Sequence, residues 1–211
     1  PYIFNSKFDS SCKIKIINKT FQLNIEESRN YSRFKDAFLR GKLYVCFFTI
    51  AQKFQMAYTT TCSQKYHAAV KLVEEILERG EKVIIFVKYI SEALSLREST
   101  GGLLYTGKYK DDLARFEGDE NVLICTYGVG SVGLNLQCAN NLIFYSQTFD
   151  FKEKEQAKYR IYRIGQQRSV NIYNLWVDTK LEEIIRKNLS KKGNLLRDVE
   201  RVISAKEARK L

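Results

Sequence analysis

The sequence of 211 residues has one proline, one histidine, one methionine and one tryptophan. A single proline and eleven glycines exclude a collagen-like or low-complexity chain. The five cysteines never form a CxxC pair, which is typical of free thiols in a reducing compartment. We therefore expect an intracellular protein: cytoplasmic in a bacterium or phage, nuclear or in a viral factory in a eukaryote or virus. With one histidine, no zinc site of ordinary type is expected.

Long apolar runs are also missing. The longest spans residues 43–51, is broken only by Thr49, and is about half of a membrane span. No signal peptide is recognisable at the start, so membrane partners are excluded. Because the chain opens on Pro1 and its only methionine is Met56, we expect a fragment of a longer protein.

The net charge of +11 is unevenly distributed. Residues 1–63 carry +6, residues 64–179 are neutral, and residues 180–211 carry +5. Basic ends of this kind favour contact with a polyanion, most readily nucleic-acid phosphate. They are equally typical of solvated faces that keep a protein soluble, so charge alone leaves both interpretations open.

Short apolar runs alternate with helical patterns from residue 64 onward. Strands are predicted at residues 82–87, 103–106, 121–126, 142–145 and 170–177. Helices are predicted at residues 91–98, 111–116 and 152–164, with another before the first strand. Strands alternating with helices indicate an α/β fold, a parallel sheet with helices on both faces.

The first 63 residues predict a mainly helical N-terminal extension. Residues 13–17 alternate like a strand, and residues 21–25 are a candidate second strand. Residues 25–40 predict a helix, because acidic Glu26 and Glu27 suit its first turn. Residues 44–58 are apolar and aromatic, which is typical of a buried helix. The predicted segments are 1–63, a globular domain over 64–190, and a basic helix or tail over 191–211.

Two glycine-rich stretches imitate phosphate-binding loops. Residues 128–133 match GxGxxG, but only seven residues separate them from the next strand, too few for a crossover helix. Residues 102–109 nearly match a Walker A motif, but Tyr109 stands where a Ser or Thr hydroxyl must hold magnesium. Neither stretch is therefore predicted to be a phosphate-binding loop.

Gln156, Arg160 and Arg163 occupy i, i+4 and i+7 of the predicted 152–164 helix, which is one face. Two guanidinium groups and an amide form a donor array suited to the γ-phosphate of a nucleoside triphosphate. The other interpretation is a solvated face with salt bridges to Glu153 and Glu155. The spacing alone favours the second interpretation.

Residues 156–166, with Gln-Ala, Arg and Arg-Ile-Gly-Gln, closely resemble motif VI of the Swi/Snf family of DNA translocases in helicase superfamily two. Residues 126–140, with Gly-Leu-Asn-Leu and Ala-Asn, resemble its motif V. Residues 82–87 are similar to motif IV, and residues 105–107 to the short motif that follows. The motifs have the family's order and spacing over about residues 64–190.

The resemblance implies a second RecA-like lobe, with ATP and Mg²⁺ bound jointly with a first lobe absent from this chain. That first lobe would supply the Walker A lysine and the magnesium-binding acid. By position, Arg163 is the arginine finger, Arg160 a second phosphate contact and Gln156 an orienting group. Gly133 and Asn135 are expected near the nucleotide.

The same resemblance implies that double-stranded DNA is a partner, bound through its backbone. The implied DNA-binding residues are Thr126, Gly128, Tyr105, Gly107 and Lys108. The implied function is the second lobe of an ATP-dependent DNA translocase or helicase-like ATPase, inactive as an isolated fragment.

Two departures from the family pattern occur between and within the motifs. Residues 149–151 are Phe-Asp-Phe where the family usually has Trp-Asn-Pro, which puts that DNA-side contact in doubt. Tyr162 replaces a usual histidine. Two alternatives remain: a non-catalytic RecA-like adaptor for nucleic acid or protein, and a superfamily-two helicase acting on RNA.

Overall fold

The computed structural model describes residues 12–131, 136–195 and 202–211. The strands are β1 (Ile14–Phe21), β2 (Tyr44–Cys46), β3 (Val83–Val87), β4 (Leu103–Tyr105), β5 (Val122–Thr126), β6 (Asn141–Phe144), β7 (Val170–Val177) and β8 (Val202–Ser204). The α-helices are α1 (Ile25–Leu39), α2 (Phe47–Thr61), α3 (Ser63–Glu78), α4 (Ile90–Thr100), α5 (Leu113–Glu117), α6 (Phe151–Lys158), α7 (Lys180–Ser190) and α8 (Ala205–Ala208). None of these helices is long and apolar enough to cross a membrane.

Six strands form one parallel sheet in the order β1-β7-β6-β3-β5-β4. Every residue of β3 and β6 is buried, as expected for central strands covered on both faces. Apolar side chains form one cluster with α3 and α4 on one face, and a second cluster with α5 and α6 on the other. The predicted α/β fold is therefore confirmed.

The N-terminal segment contributes the edge strand of this sheet. β1 is longer than predicted and pairs in register with β7 from Ile14↔Val170 to Phe21↔Val177. The predicted second strand at residues 21–25 is wrong, because Asn24 caps α1. Its side chain accepts from the Glu27 amide at 2.9 Å, and the Glu27 carboxylate accepts from the Asn24 amide at 2.9 Å. This capping box offers the backbone a helix start in place of a strand.

Residues 44–58 are a short strand followed by a helix, where sequence predicted one buried helix. β2 pairs antiparallel with β8, more than 150 residues away, and α2 begins at Phe47. Tyr31 of α1 packs edge-on against Phe54 and Tyr58 of α2, with ring centroids 6.0 and 5.6 Å away. These rings belong to a third apolar cluster, which joins α1 and α2 to α7.

The C-terminal residues also return to this cluster. β8 and α8 lie within the predicted basic tail, and Ala205 and Ala208 are buried. The Arg209 guanidinium contacts the Asp36 carboxylate of α1 at 3.2 Å, and the Lys35 ammonium donates to the Arg209 carbonyl at 3.1 Å. Residues 202–211 therefore pack on the N-terminal helices.

Candidate functional site

The carboxyl ends of β4 and β5 bring the predicted DNA-binding residues together. The two strands are parallel neighbours with Tyr105 opposite Cys125, so the loops that follow them lie side by side. A β-carbon on Gly107 would lie 4.0 Å from the Val129 side chain, which places the two loops in contact. The predicted residues in these loops are Tyr105, Gly107, Lys108, Thr126 and Gly128.

The loop after β4 is a tight turn organised by Thr106. Its buried hydroxyl accepts from the amides of Lys108 at 3.2 Å and Tyr109 at 2.9 Å. The Thr106 amide donates to the Tyr109 carbonyl at 2.6 Å. Gly107 and Lys108 are exposed at the tip, so a backbone segment and an ammonium group are presented together to solvent. An anion such as a phosphate suits both.

The loop after β5 is a single 3-10 turn, Tyr127–Ser131, which we call the 127–131 turn. Thr126 is half-buried beside it and Gly128 is exposed. Helix α6 packs against this turn. The segment with the predicted finger arginines therefore begins beside the predicted DNA contacts. Gly133 and Asn135, predicted near the nucleotide, lie outside the described residues.

The predicted helix over residues 152–164 is shorter in the structure, and the expected common face is wrong. α6 ends at Lys158, so Gln156 lies on the helix while Arg160 and Arg163 lie on the turns that follow. Gly165 adopts a φ of +101°, a left-handed conformation that side-chain-bearing residues rarely take. It reverses the chain directly after the arginines.

Two glutamines hold this arginine segment against the residues that follow the 127–131 turn. The buried Gln166 side chain donates to the carbonyls of Gln137 at 3.1 Å and Ala139 at 2.9 Å. The Gln137 side chain donates to the Ile164 carbonyl at 2.6 Å. Residues 137–139 and the segment that ends at Gln166 are therefore tied together through amide side chains. Sequence reasoning missed Gln137, because nothing in its pattern distinguishes it from a surface glutamine.

Gln156 and Arg163 are exposed, and Arg160 is half-buried. Burial lowers the pKa of Arg160, but a guanidinium stays protonated in proteins. Within the described ranges neither arginine forms an ion pair. The salt bridges to Glu153 and Glu155 that spacing suggested are not made, because Glu155 pairs with Lys158 at 2.6 Å and Glu153 accepts from Thr148. Two cationic groups therefore remain available for an anion.

Over residues 12–131, 136–195 and 202–211, no three His, Cys, Asp or Glu side chains converge in a way that could hold an ion.

Buried lysines behind the carboxyl edge were not predicted. Lys65 lies over the Tyr145 ring at 4.0 Å, and Lys88 over the ring of Phe149. Lys154 of α6 donates to the Gln147 side chain at 2.6 Å. Burial lowers the pKa of all three, that of Lys154 to about 7. Burial also raises the pKa of the nearby Glu182 carboxyl.

Lys154 gives the stability of the fold a defined pH dependence. Burial lowers the pKa of the Lys154 ammonium from its ordinary value of 10.5 to about 7 in the folded state. Between these values the unfolded chain binds more protons than the folded one, so stability rises with pH. We expect the free energy of unfolding to increase between pH 7 and pH 9 by about 2 kcal/mol more in the wild-type chain than in the Lys154→Met variant. Urea unfolding at both pH values measures this difference.

Lys152→Met, at an exposed position two residues earlier, is the matched control and should keep the wild-type pH dependence. An identical pH dependence in wild type and Lys154→Met would show that the folded-state pKa of Lys154 is not lowered.

Residues 64–165 match the family described as the helicase conserved C-terminal domain. An uncharacterized ATP-dependent helicase of Schizosaccharomyces pombe is 32% identical over 151 residues, 64% of this chain and 14% of the relative. ATP-dependent helicase FUN30 of Saccharomyces cerevisiae is 32% identical over 142 residues, 58% of this chain and 12% of the relative. The chain thus spans less than a fifth of the length of these two curated relatives.

The SWI2/SNF2 ATPase core domain of Sulfolobus solfataricus has the same fold, with a TM-score of 0.66 at 21% identity. The match covers 88% of this chain and 44% of that one. The same core in complex with dsDNA matches with a TM-score of 0.62 at 18% identity, covering 88% and 46%. The predicted RecA-like architecture is confirmed by these likenesses. Residues 64–165 are thus similar to the helicase conserved C-terminal domain, and both curated relatives are named as ATP-dependent helicases.

Proposed function

We propose that this chain is the second lobe of an ATP-dependent double-stranded-DNA translocase or helicase-like ATPase. It supplies the arginine finger and part of the surface that follows the DNA backbone. The observation that carries the proposal is that the candidate phosphate-binding arginines and the candidate DNA-contacting loops lie at one edge of the sheet. Helix α6, which leads into Arg160 and Arg163, packs directly on the 127–131 turn beside the exposed loop of Gly107 and Lys108.

ATP is the substrate in this proposal, bound between this lobe and a first lobe. Arg163 contacts the γ-phosphate and its transition state, Arg160 makes a second phosphate contact, and Gln156 orients the segment. The donor set fits one side of a triphosphate: two guanidinium groups that have no carboxylate partner among the described residues, on a segment fixed by Gln166. The first lobe supplies the ligands of the accompanying Mg²⁺. Gly133 and Asn135 are assigned to the nucleotide by motif position alone.

The DNA partner is assigned from the chemistry of the two loops. The two loops present groups that suit phosphate oxygens: the exposed backbone of Gly107 and Gly128, the Thr126 hydroxyl and the Lys108 ammonium. Groups of this kind contact the DNA backbone and carry no sequence information. A structure of similar fold has been determined in complex with dsDNA. Contacts of this kind let a motor follow duplex DNA independently of sequence. An intracellular location is part of the same proposal.

The proposal is tested by comparing ATP hydrolysis by this chain with that of the full-length gene product. We expect hydrolysis only in the full-length protein, because the chain offers one side of the nucleotide. Stimulation by duplex DNA above duplex RNA favours the translocase. Preference for RNA would indicate an RNA helicase, and DNA binding without hydrolysis in either protein would indicate an adaptor.

A further inference from the structure

Tyr127 is the first residue of the 127–131 turn, and its side chain is anchored on the sheet. Its ring lies parallel to that of Phe144, with an interplanar angle of 3° and centroids 6.0 Å apart, and 5.4 Å from the ring of Phe86. Its hydroxyl donates to the Ser146 carbonyl at 2.8 Å. The hydroxyl thus ties the loop after β5 to the loop after β6.

Ser146 is itself fixed by the loop after β3 and by α4. Its buried hydroxyl donates to the Glu92 carboxylate at 2.7 Å and accepts from the Lys88 amide at 2.6 Å. The same Glu92 oxygen accepts from the amides of Tyr89 at 3.1 Å and Lys88 at 3.3 Å. Glu92 therefore collects three donors from two strand ends at one buried oxygen.

These contacts form a continuous chain of hydrogen bonds along the carboxyl edge. It runs from Glu92 on α4, through Ser146 after β6, to Tyr127 beside Thr126 and Gly128. Because each hydrogen bond holds its two groups in one arrangement, and Glu92 and Ser146 are buried, this chain limits how far the turn can move. A surface that receives phosphates binds more tightly when its donors are already in position.

We propose that Tyr127 is the positioning residue of the DNA-contacting turn, and that Glu92 fixes the Ser146 acceptor on which it depends. The ligand served is the phosphate backbone of duplex DNA, so this inference rests on the proposed function. Tyr127 contacts no substrate itself. It sets the place of the backbone amides around Gly128, and its loss weakens DNA binding without removing a DNA-contacting group.

The test is Tyr127→Phe in the full-length protein, which removes the hydroxyl and keeps the packed ring. Losing one hydrogen bond should raise the half-saturating concentration of duplex DNA in the ATPase assay about three- to tenfold. The rate at saturating DNA should change by less than about twofold, since this loss acts on positioning. Hydrogen exchange of the amides in residues 127–131 should become faster.

Tyr66→Phe is the matched control. The Tyr66 hydroxyl also donates to a backbone carbonyl, that of Ser95 at 3.0 Å, but this bond joins α3 to α4 and not the loops after β5 and β6. It should leave the DNA dependence and the exchange of residues 127–131 as in wild type. Ser146→Ala is the second variant. It removes the hydroxyl that holds residue 146 to Glu92 and Lys88, and it leaves both the backbone carbonyl and Tyr127 in place. It should shift the DNA dependence in the same direction by a smaller factor.

Wild-type protein that fails to bind duplex DNA would overturn the proposed function and this inference with it. If the wild-type protein binds DNA, the inference alone would be overturned by a Tyr127→Phe variant with the same half-saturating DNA concentration and the same amide exchange as wild type.

Discussion

Replacing Arg163 with alanine in the full-length protein is expected to lower the rate of ATP hydrolysis by about 10³–10⁵-fold. A finger arginine stabilises the charge that develops on the transferred phosphoryl group, so its loss acts on the rate more than on ATP binding. Arg163 is exposed, and among the described residues it has no carboxylate partner whose loss would confuse the result. Phosphate release at saturating ATP measures the effect.

Arg115→Ala is the matched control for Arg163→Ala. Arg115 is an exposed arginine of α5 whose guanidinium pairs with Glu120 at 2.5 Å. Surface ion pairs of this kind contribute little to stability, so hydrolysis should stay within about twofold of wild type. Equal rates in Arg163→Ala and wild type would refute the finger assignment and favour a non-catalytic adaptor.

The affinity of the full-length protein for duplex DNA is expected to fall steeply with salt. Three or more phosphate contacts give a log–log slope of about −3 or steeper, which is a loss of about 50-fold between 50 and 200 mM salt. Lys108→Ala should weaken binding on every sequence alike and make the slope shallower by about one. Fluorescence anisotropy of a labelled duplex at several salt concentrations measures both quantities.

Lys71→Ala removes an equally exposed lysine from α3 and should keep the wild-type slope. An affinity that does not change with salt would contradict a binding surface made of backbone contacts.

The central sheet could be predicted because its strands are short apolar runs that are recognisable in the sequence. Every residue of β3 is apolar and buried, and β6 is buried throughout with Asn141 as its one polar residue; a short continuous apolar run between helical patterns has few other interpretations. β2 could not be found, because three residues at the start of an apolar run gain their strand identity only from pairing with β8. Such long-range pairing leaves no local periodicity.

For the candidate site, the sequence motifs proposed residues but did not predict their geometry. Arg160 and Arg163 were placed on a helix because their spacing fits one, but the positive φ of Gly165 and the buried Gln166 turn the chain instead. The hydrogen bonds of Tyr127, Ser146 and Glu92 could not be predicted from the sequence, since they join residues up to 58 positions apart. Motifs name residues that touch ligands, whereas the residues that position them are found only through three-dimensional contacts.

The measurement that tests the account most directly is phosphate release by the full-length gene product with and without duplex DNA. We expect ATP hydrolysis to rise when duplex DNA is added, because helix α6, which leads into Arg160 and Arg163, packs on the 127–131 turn that we propose contacts DNA. Hydrolysis that is indifferent to DNA, or no hydrolysis under either condition, would contradict it.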